Sequence, residues 1–307
     1  MAPPLIAIVG PTASGKSALA LRLARACAGE IVSCDSLQVY RGLDVGSAKA
    51  TPDERREVPH HLLDVVEPSE PFSAADYARL ARTAVADVAR RGKVPIVAGG
   101  TGLYLRALLE GLFEGPSRDE GLRRRLEGMA DRFGPGRLHR LLAAADPAAA
   151  ARIATQDRVR VVRALEVLRS TGRTISDHHA AGAARLEGYE VLTVGLCPDR
   201  ESLRRQVEAR TAAMFDRGLL DEVRSLLDRG YGPSLRPLRA IGYRQAVAVV
   251  RGESDAASAR RDIVTDTMRY AKRQMTWFRH QTRPVWAADA SSAFELASRW
   301  LEERGLR

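Results

Sequence analysis

The stretch GPTASGKS, Gly10 to Ser17, follows the apolar run LIAIV and precedes the helical pattern SALALRLARACA. It satisfies GxxxxGK[ST] between a strand and a helix, the context that makes this motif a phosphate grip. Gly10, Pro11, Thr12, Ala13, Ser14 and Gly15 supply a loop whose backbone N–H groups converge on phosphate oxygens, and the helix N-terminus behind it favours an anion. Lys16 neutralises phosphate charge, and the Ser17 hydroxyl is placed to ligate Mg²⁺. The motif specifies phosphate strongly and says little about what the phosphate belongs to.

Three other stretches carry groups able to do chemistry. SCDSLQVY (Ser33–Tyr40) sets Asp35 at the end of a strand-like run, where a carboxylate serves as general base or as a partner of bound Mg²⁺. The competing reading is that Asp35 caps a short helix or turn. AGGTGLY (Ala98–Tyr104) ends another run in two glycines and the Thr101 hydroxyl; it reads equally as a ligand contact or as a tight turn with Thr101 as cap. A nucleotide hydrolase often ends this strand in an aspartate that supports Mg²⁺, and glycines stand there instead. Asp64 in HHLLD is a weak substitute, and His60 and His61 read as packing or capping residues. In TMRYAKRQMTWFRHQTR (Thr267–Arg283), helical spacing puts Arg269, Lys272, Arg273, Thr276 and His280 on one face and Tyr270, Gln274, Trp277 and Phe278 largely elsewhere. A basic face beside aromatics suits RNA, or it is an amphipathic helix with a solvated charged side. TQDRVRVVRALEVLRSTG sets Arg160 and Arg163 near each other on a helix as a possible phosphate-facing pair, and Arg210 precedes Met214 by one turn with no role assigned by spacing.

These residues need a scaffold, and the apolar pattern supplies one. LIAIV, EIVSCDS, VPIVAGGT (Val94–Thr101), YEVLTVGL (Tyr189–Leu196) and RPVWAAD read as strands alternating with helices, the signature of a parallel α/β sheet. Ligands of such sheets bind at the carboxyl ends of the strands, where Asp35 and the phosphate loop both lie. Between about Ser117 and Gly188 only Arg- and Ala-rich helical segments occur, broken by FGPG, ADPAA and STGRT. The expected organisation is an α/β core over 1–116 and 189–307, interrupted by a small all-helical insertion over 117–188. A separate C-terminal domain is the alternative, and the strand returning at Val191 speaks against it.

Composition narrows the class. The 307 residues, 45% hydrophobic, suffice for a large core with an insertion, and no apolar run reaches the roughly 20 residues of a membrane helix. The start lacks the basic segment of a signal peptide. Cys27, Cys34 and Cys197 are scattered, which excludes a disulfide framework or zinc site and fits a reducing cytoplasm. A net charge of +10 points to a polyanion, nucleic acid first. Because Lys16, Lys49, Lys93 and Lys272 are the only lysines, genomic base composition is the rival explanation of the arginine load.

GPTASGKS, SCDSLQVY, AGGTGLY, RALEV (Arg163–Val167), RTAAM (Arg210–Met214), AIGYRQ (Ala240–Gln245) and AKRQMTWFR (Ala271–Arg279) together resemble the tRNA dimethylallyltransferase family, in the family's order and over nearly the whole chain. The resemblance implies a P-loop kinase-like fold with a helical insertion that clasps the anticodon stem-loop. It implies Mg²⁺-dependent transfer of a dimethylallyl group from dimethylallyl diphosphate to the exocyclic amine of the adenosine just 3′ of the anticodon. Carried onto this chain, Thr12–Ser17 hold the diphosphate, Asp35 is the general base, Thr101 fixes donor or amine, and Arg210 steadies the leaving group. Ser36, Leu37 and Gln38 fall where the family touches the flipped base. Arg123 or Arg124, Asp157, Arg160, Arg163, Arg244, Lys272, Arg273 and Arg279 are the implied RNA contacts. The chain departs from the family's HPNDxQR, reading ATQDRVR with Val159 in the glutamine place, which puts one insertion contact in doubt. Nothing resembling a zinc finger follows Arg307, as in the bacterial form, and a cytoplasmic monomer is expected. The alternatives are a P-loop small-molecule kinase, an isopentenyltransferase acting on free adenine nucleotides, and a non-catalytic RNA-binding module.

Overall fold

The computed structural model describes residues 2–113, 115–116, 118–180 and 182–306; the expected domain limits at 1, 117 and 307 fall outside them. Two compact units are present: Met1–Leu109 with Leu186–Arg307, and Glu110–Arg185 between them in sequence. The second unit begins and ends earlier than the expected 117–188, because the chain leaves the last helix before the insertion at Leu109 and rejoins the first unit at Leu186.

The first unit is built on a sheet of β1 (Pro4–Val9), β2 (Glu30–Ser33), β3 (His60–His61), β4 (Pro95–Ala98), β5 (Glu190–Leu196) and β6 (Val285–Ala287). The strand order is β3-β2-β4-β1-β5-β6 and every pairing is parallel. Its helices are α1 (Lys16–Ala26), α2 (Pro52–Glu57), α3 (Ala74–Arg90) and α4 (Gly102–Leu109) before the insertion. After it come α10 (Arg200–Asp216), α11 (Leu219–Asp228), α12 (Tyr243–Val250), α13 (Ala256–Gln281) and α14 (Ala290–Glu302).

LIAIV is apolar throughout because both faces of a parallel sheet are covered by helices. Its period of two sends Leu5, Ala7 and Val9 to one core, shared with Tyr77 of α3, Leu105 of α4, Leu226 of α11 and Tyr243 of α12. Ile6 and Ile8 enter the other, with Leu19 and Leu23 of α1 and Ala293 and Ala297 of α14. Each such fully buried aliphatic side chain contributes about 1.5–3 kcal/mol. Helix starts are fixed locally: Ser73 and Asp76 form a reciprocal capping box at α3, and Asp255 opens α13 by accepting from the Ser258 amide at 2.8 Å.

The strands are shorter than their apolar runs. VPIVAGGT is strand only over Pro95–Ala98, and YEVLTVGL pairs from Glu190. The two-residue β3, read from sequence as packing histidines, adds to the edge with His60 opposite Ile31.

The second unit comprises α5 (Glu120–Phe133), α6 (Pro135–Ala145), α7 (Pro147–Arg152), α8 (Arg158–Thr171) and α9 (Ile175–Ala180) around Leu126, Leu138, Leu142, Val161, Val162 and Leu165. The three predicted breaks are its helix ends. Gly134 separates α5 from α6, Asp146 caps α7 through the Ala149 amide, and Gly172 closes α8 in a left-handed conformation. In the first unit, the chain's exit and return meet: the Leu186 amide donates to the Leu109 carbonyl at 2.9 Å.

Candidate active site

Strand order builds the site. β2, β4 and β1 are neighbours, so the three motif stretches leaving their carboxyl ends, SCDS, AGGT and GPTASGKS, emerge side by side. This is where open α/β sheets bind ligands.

The phosphate loop leaves β1 and enters α1 through Gly15 at φ 85°. Ala13 also sits at φ 65°, a left-handed conformation costing an L-residue about 1–2 kcal/mol, and alternation of this kind forms anion-binding nests. The Ser14 hydroxyl is buried with no hydrogen-bond partner among the described residues, a vacancy that a phosphate oxygen can fill. Lys16 is buried and donates to the Pro11 carbonyl at 2.6 Å. Burial, with the Arg210 cation adding to it and Asp35 opposing, pushes its pKa down to about 7. Ser17 is exposed on the same cavity wall.

Asp35 follows β2. One of its oxygens accepts from the Leu37 amide at 2.8 Å, which orients the carboxylate without neutralising it. Thr101 braces the same turn: its hydroxyl accepts from the Ser36 amide at 3.1 Å and its amide donates to the Cys34 carbonyl at 3.2 Å. The second glycine-rich stretch is explained by this contact. A Cβ at Gly99 would lie 2.0 Å from the Cys34 carbonyl oxygen, so only glycine lets the ends of β4 and β2 close up. Protein backbone makes the close approach here.

Two cavities of about 340 and 330 Å³ meet at these residues, sharing Thr12, Asp35, Ser47, Arg210 and Tyr270. One is walled by the phosphate loop from Thr12 to Ala18 and by Gly99 and Gly100. The other is lined by apolar groups including Leu37, Val207, Met214 and Ile263, with Arg236, Arg239, Arg244 and Arg273 among its polar wall. Arg210, from α10, stands between them; it donates to Thr12 Oγ1 at 3.3 Å and to the Ser47 carbonyl at 3.4 Å, and burial lowers its pKa against the pull of Asp35.

Ser47 belongs to a loop fixed by a residue that sequence reading missed. The Glu222 carboxylate accepts from the amides of Asp44, Val45 and Gly46 at 2.8, 2.6 and 3.1 Å and from the Tyr243 hydroxyl at 2.7 Å. Gln38 ties the same loop to β2: it accepts from Ser33 Oγ at 2.8 Å and donates to the Ser47 and Ala48 carbonyls at 3.3 Å. Ser36 and Leu37 line the second cavity, as does Arg244, which is paired with Asp266 at 2.5 Å. On α13, Arg273, Lys272 and Arg279 are all exposed; Arg273 lines this cavity with Tyr270, and Arg279 lies 3.8 Å from Cys197 Sγ.

Several expected roles change with the geometry. Asp64 is not available to a metal, because Lys49 and Arg55 bind it at 2.6 and 2.8 Å and hold its pKa down against the effect of burial. His61 pairs with Glu30, and no three His, Cys, Asp or Glu side chains converge on a metal-sized site among the described residues. Mg²⁺ binds through few protein groups and mainly through substrate phosphates and water, so a loop offering the Ser17 hydroxyl beside a carboxylate fits it. In the helical unit, Arg123 and Arg163 serve the fully buried Glu166. Arg123 contacts both carboxylate oxygens at 2.8 and 3.0 Å, and Arg163 contacts one at 2.6 Å. Burial raises the Glu166 pKa and these bonds overcome it, leaving about 2. Asp157 caps α8 through the Arg160 amide at 3.1 Å; the Arg160 side chain and Val159 are exposed. No helix among the described residues is long and apolar enough to cross a membrane.

Comparison with known proteins identifies relatives of the whole chain. The tRNA dimethylallyltransferase of Solibacter usitatus is 50% identical over 293 residues, covering 95% of each chain. That of Anaeromyxobacter dehalogenans is 52% identical over 295 residues, covering 96% of this chain and 98% of the other. Among solved structures, the tRNA isopentenylpyrophosphate transferase of Bacillus halodurans superposes with a TM-score of 0.70 at 37% identity over 98% of both chains. A eukaryotic dimethylallyltransferase acting on tRNA superposes with a TM-score of 0.81 at 27% identity, over 97% of this chain and 77% of the other. The IPP transferase family model matches residues 38–281, from the turn after Asp35 to the end of α13, and the chain belongs to that family.

Proposed function

We propose that this chain transfers a dimethylallyl group from dimethylallyl diphosphate to the N6 amine of the adenosine immediately 3′ of a tRNA anticodon, releasing diphosphate. The observation carrying this reading is the position of Asp35 and Arg210 at the junction of a phosphate-gripping cavity and a second, part-apolar cavity with an arginine-rich wall.

The phosphate loop receives the diphosphate, with Lys16 and Arg210 balancing its charge as the allylic C–O bond breaks. Ser17 would hold Mg²⁺ there, which would further stabilise the leaving group's charge. Asp35 accepts the proton that the exocyclic amine loses as the new N–C bond forms, so one carboxylate suffices and no water has to be activated. The apolar wall shelters the allylic carbon from water. Arg236, Arg239, Arg244 and Arg273 can pair with phosphates flanking a base that has left the anticodon stack, offsetting an unstacking cost of a few kcal/mol. Lys272 and Arg279, exposed on α13, add to the basic groups of the core, and Arg160, exposed on the helical unit, is a further RNA contact.

The test is incubation with labelled dimethylallyl diphosphate, Mg²⁺ and unmodified tRNA, followed by nucleoside analysis. Label should appear on N6 of the adenosine next to the anticodon, with little on AMP. Replacement of Asp35 by alanine should remove transfer on the order of 10²–10⁴-fold and leave tRNA affinity nearly intact. Near-normal turnover in that variant would remove the base role. Phosphoryl transfer from ATP, or equal labelling of AMP and tRNA, would replace the reading with a kinase or a nucleotide prenyltransferase.

A further inference from the structure

Gln274 lies on α13, far in sequence from every motif at the strand ends, and is 5% exposed. Its side-chain amide is bidentate. Oε1 accepts from the Thr12 amide at 2.9 Å, and Nε2 donates to the Gly100 carbonyl at 2.8 Å. The fit is tight, since a Cβ at Gly100 would lie 2.3 Å from Gln274 Nε2. One planar group therefore bridges the phosphate loop after β1 to the turn after β4.

Both anchor points lead directly to the chemistry. Thr12, held by its amide, presents its hydroxyl to Arg210 at 3.3 Å. Gly100 precedes Thr101, whose hydroxyl and amide brace Ser36 and Cys34 on either side of Asp35. A connected path thus runs from Arg210 through Thr12, Gln274, Gly100 and Thr101 to the Asp35 turn. The amide holds the leaving-group side of the site at a fixed spacing from the proton-accepting side.

We propose that Gln274 is a positioning residue for the transfer reaction, setting the separation between the diphosphate grip and Asp35. This rests on the functional reading above. Gln274 also lines the phosphate-loop cavity, but both polar atoms of its amide are engaged by Thr12 and Gly100, so it acts through the groups it joins. Displacement of a reacting partner by about 1 Å can reduce rate on the order of 10²-fold with little change in binding.

Two variants distinguish positioning from simple structural support. Gln274→Met fills the space and makes neither bond. Gln274→Glu accepts from Thr12 but, when ionised, sets a carboxylate oxygen against the Gly100 carbonyl; protonated, it restores both bonds, its O–H donating to Gly100. Burial favours the protonated form of such a carboxyl, so acidification should shift the variant toward that form.

The assay measures kcat at saturating donor and tRNA, KM for tRNA, binding of inorganic diphosphate by calorimetry, and melting temperature, all beside wild type. The expected result is a kcat loss on the order of 10–100-fold for Gln274→Met, with KM for tRNA within about twofold. The kcat of Gln274→Glu relative to wild type should rise as pH falls, while that of Gln274→Met stays flat. A Met variant that keeps kcat within about twofold overturns the proposal. So does a Glu variant whose relative kcat ignores pH, or a rate loss at assay temperature that is fully accounted for by unfolding. Wild-type protein that binds diphosphate but transfers nothing refutes the functional reading instead.

Discussion

Replacing Lys16 by methionine should make the folded chain relatively more stable at low pH than at high pH. In the unfolded chain a lysine ammonium keeps its proton to about pH 10.4, whereas in the fold burial brings the Lys16 pKa down to about 7. A depression of that size corresponds to about 5 kcal/mol favouring the neutral amine. Below the folded pKa the fold carries this penalty in full. Between the folded and unfolded values the unfolded chain binds more protons, so wild-type stability rises with pH. Between about pH 6 and about pH 8.5 the linkage amounts to about 2 kcal/mol. Methionine has no proton to lose, and it also forfeits the 2.6 Å bond to Pro11, worth about 1 kcal/mol at every pH. Urea unfolding of both proteins over this range should give a wild-type-minus-variant difference that climbs by about 2 kcal/mol. Saturating inorganic diphosphate should flatten the wild-type curve, because a bound anion restores the ammonium. A difference that is flat or falls with pH would show that Lys16 is not held against its charge, and its role as a neutralising group awaiting phosphate would lose its basis.

Glu222→Gln should cost about 1–3 kcal/mol, since either the Asp44 and Val45 amides or the Gly46 amide and Tyr243 hydroxyl lose their shared acceptor oxygen; a melting temperature equal to wild type would refute this. Arg160→Ala should weaken tRNA binding and lower the slope of log affinity against log salt by about 0.7–0.9, leaving the melt unchanged. Arg123→Ala should instead destabilise the helical unit by about 3–5 kcal/mol, because it leaves the buried Glu166 carboxylate short of a partner. The two arginines read alike in sequence, so equal melts for the two variants would contradict the roles their contacts imply.

The parallel core and the phosphate loop were legible because each is encoded locally: LIAIV is apolar on both faces, and GxxxxGK[ST] needs only its own backbone. The function followed from the joint occurrence of seven motifs. What remained hidden depends on distant pairings. Strand order, which sets SCDS beside AGGT, is not written in any one strand. Arg163 reads as half of a phosphate-facing pair with Arg160, and only the packing of α5, which brings Arg123 to Glu166, shows it paired with that buried carboxylate. Gln274 sits in a run of cations and aromatics that signals RNA, and nothing near it marks an amide turned inward to Thr12 and Gly100. Glu222 is one of two acids in LLDEV, and only folding delivers three loop amides to it. His60–His61 is too short a strand to show periodicity.

The hydrogen bond between Leu109 and Leu186 has a bearing on how such a molecule can change over time. Because the core releases and recovers the chain at a single point, the segment between behaves as an interchangeable cassette. Its length, helix number and surface charge can drift, or be traded wholesale, while β1 and β5 still pair from Pro4 to Val9 and the chemical groups keep their spacing. A lineage can thus vary that helical unit on one timescale and preserve its bond-forming apparatus on another.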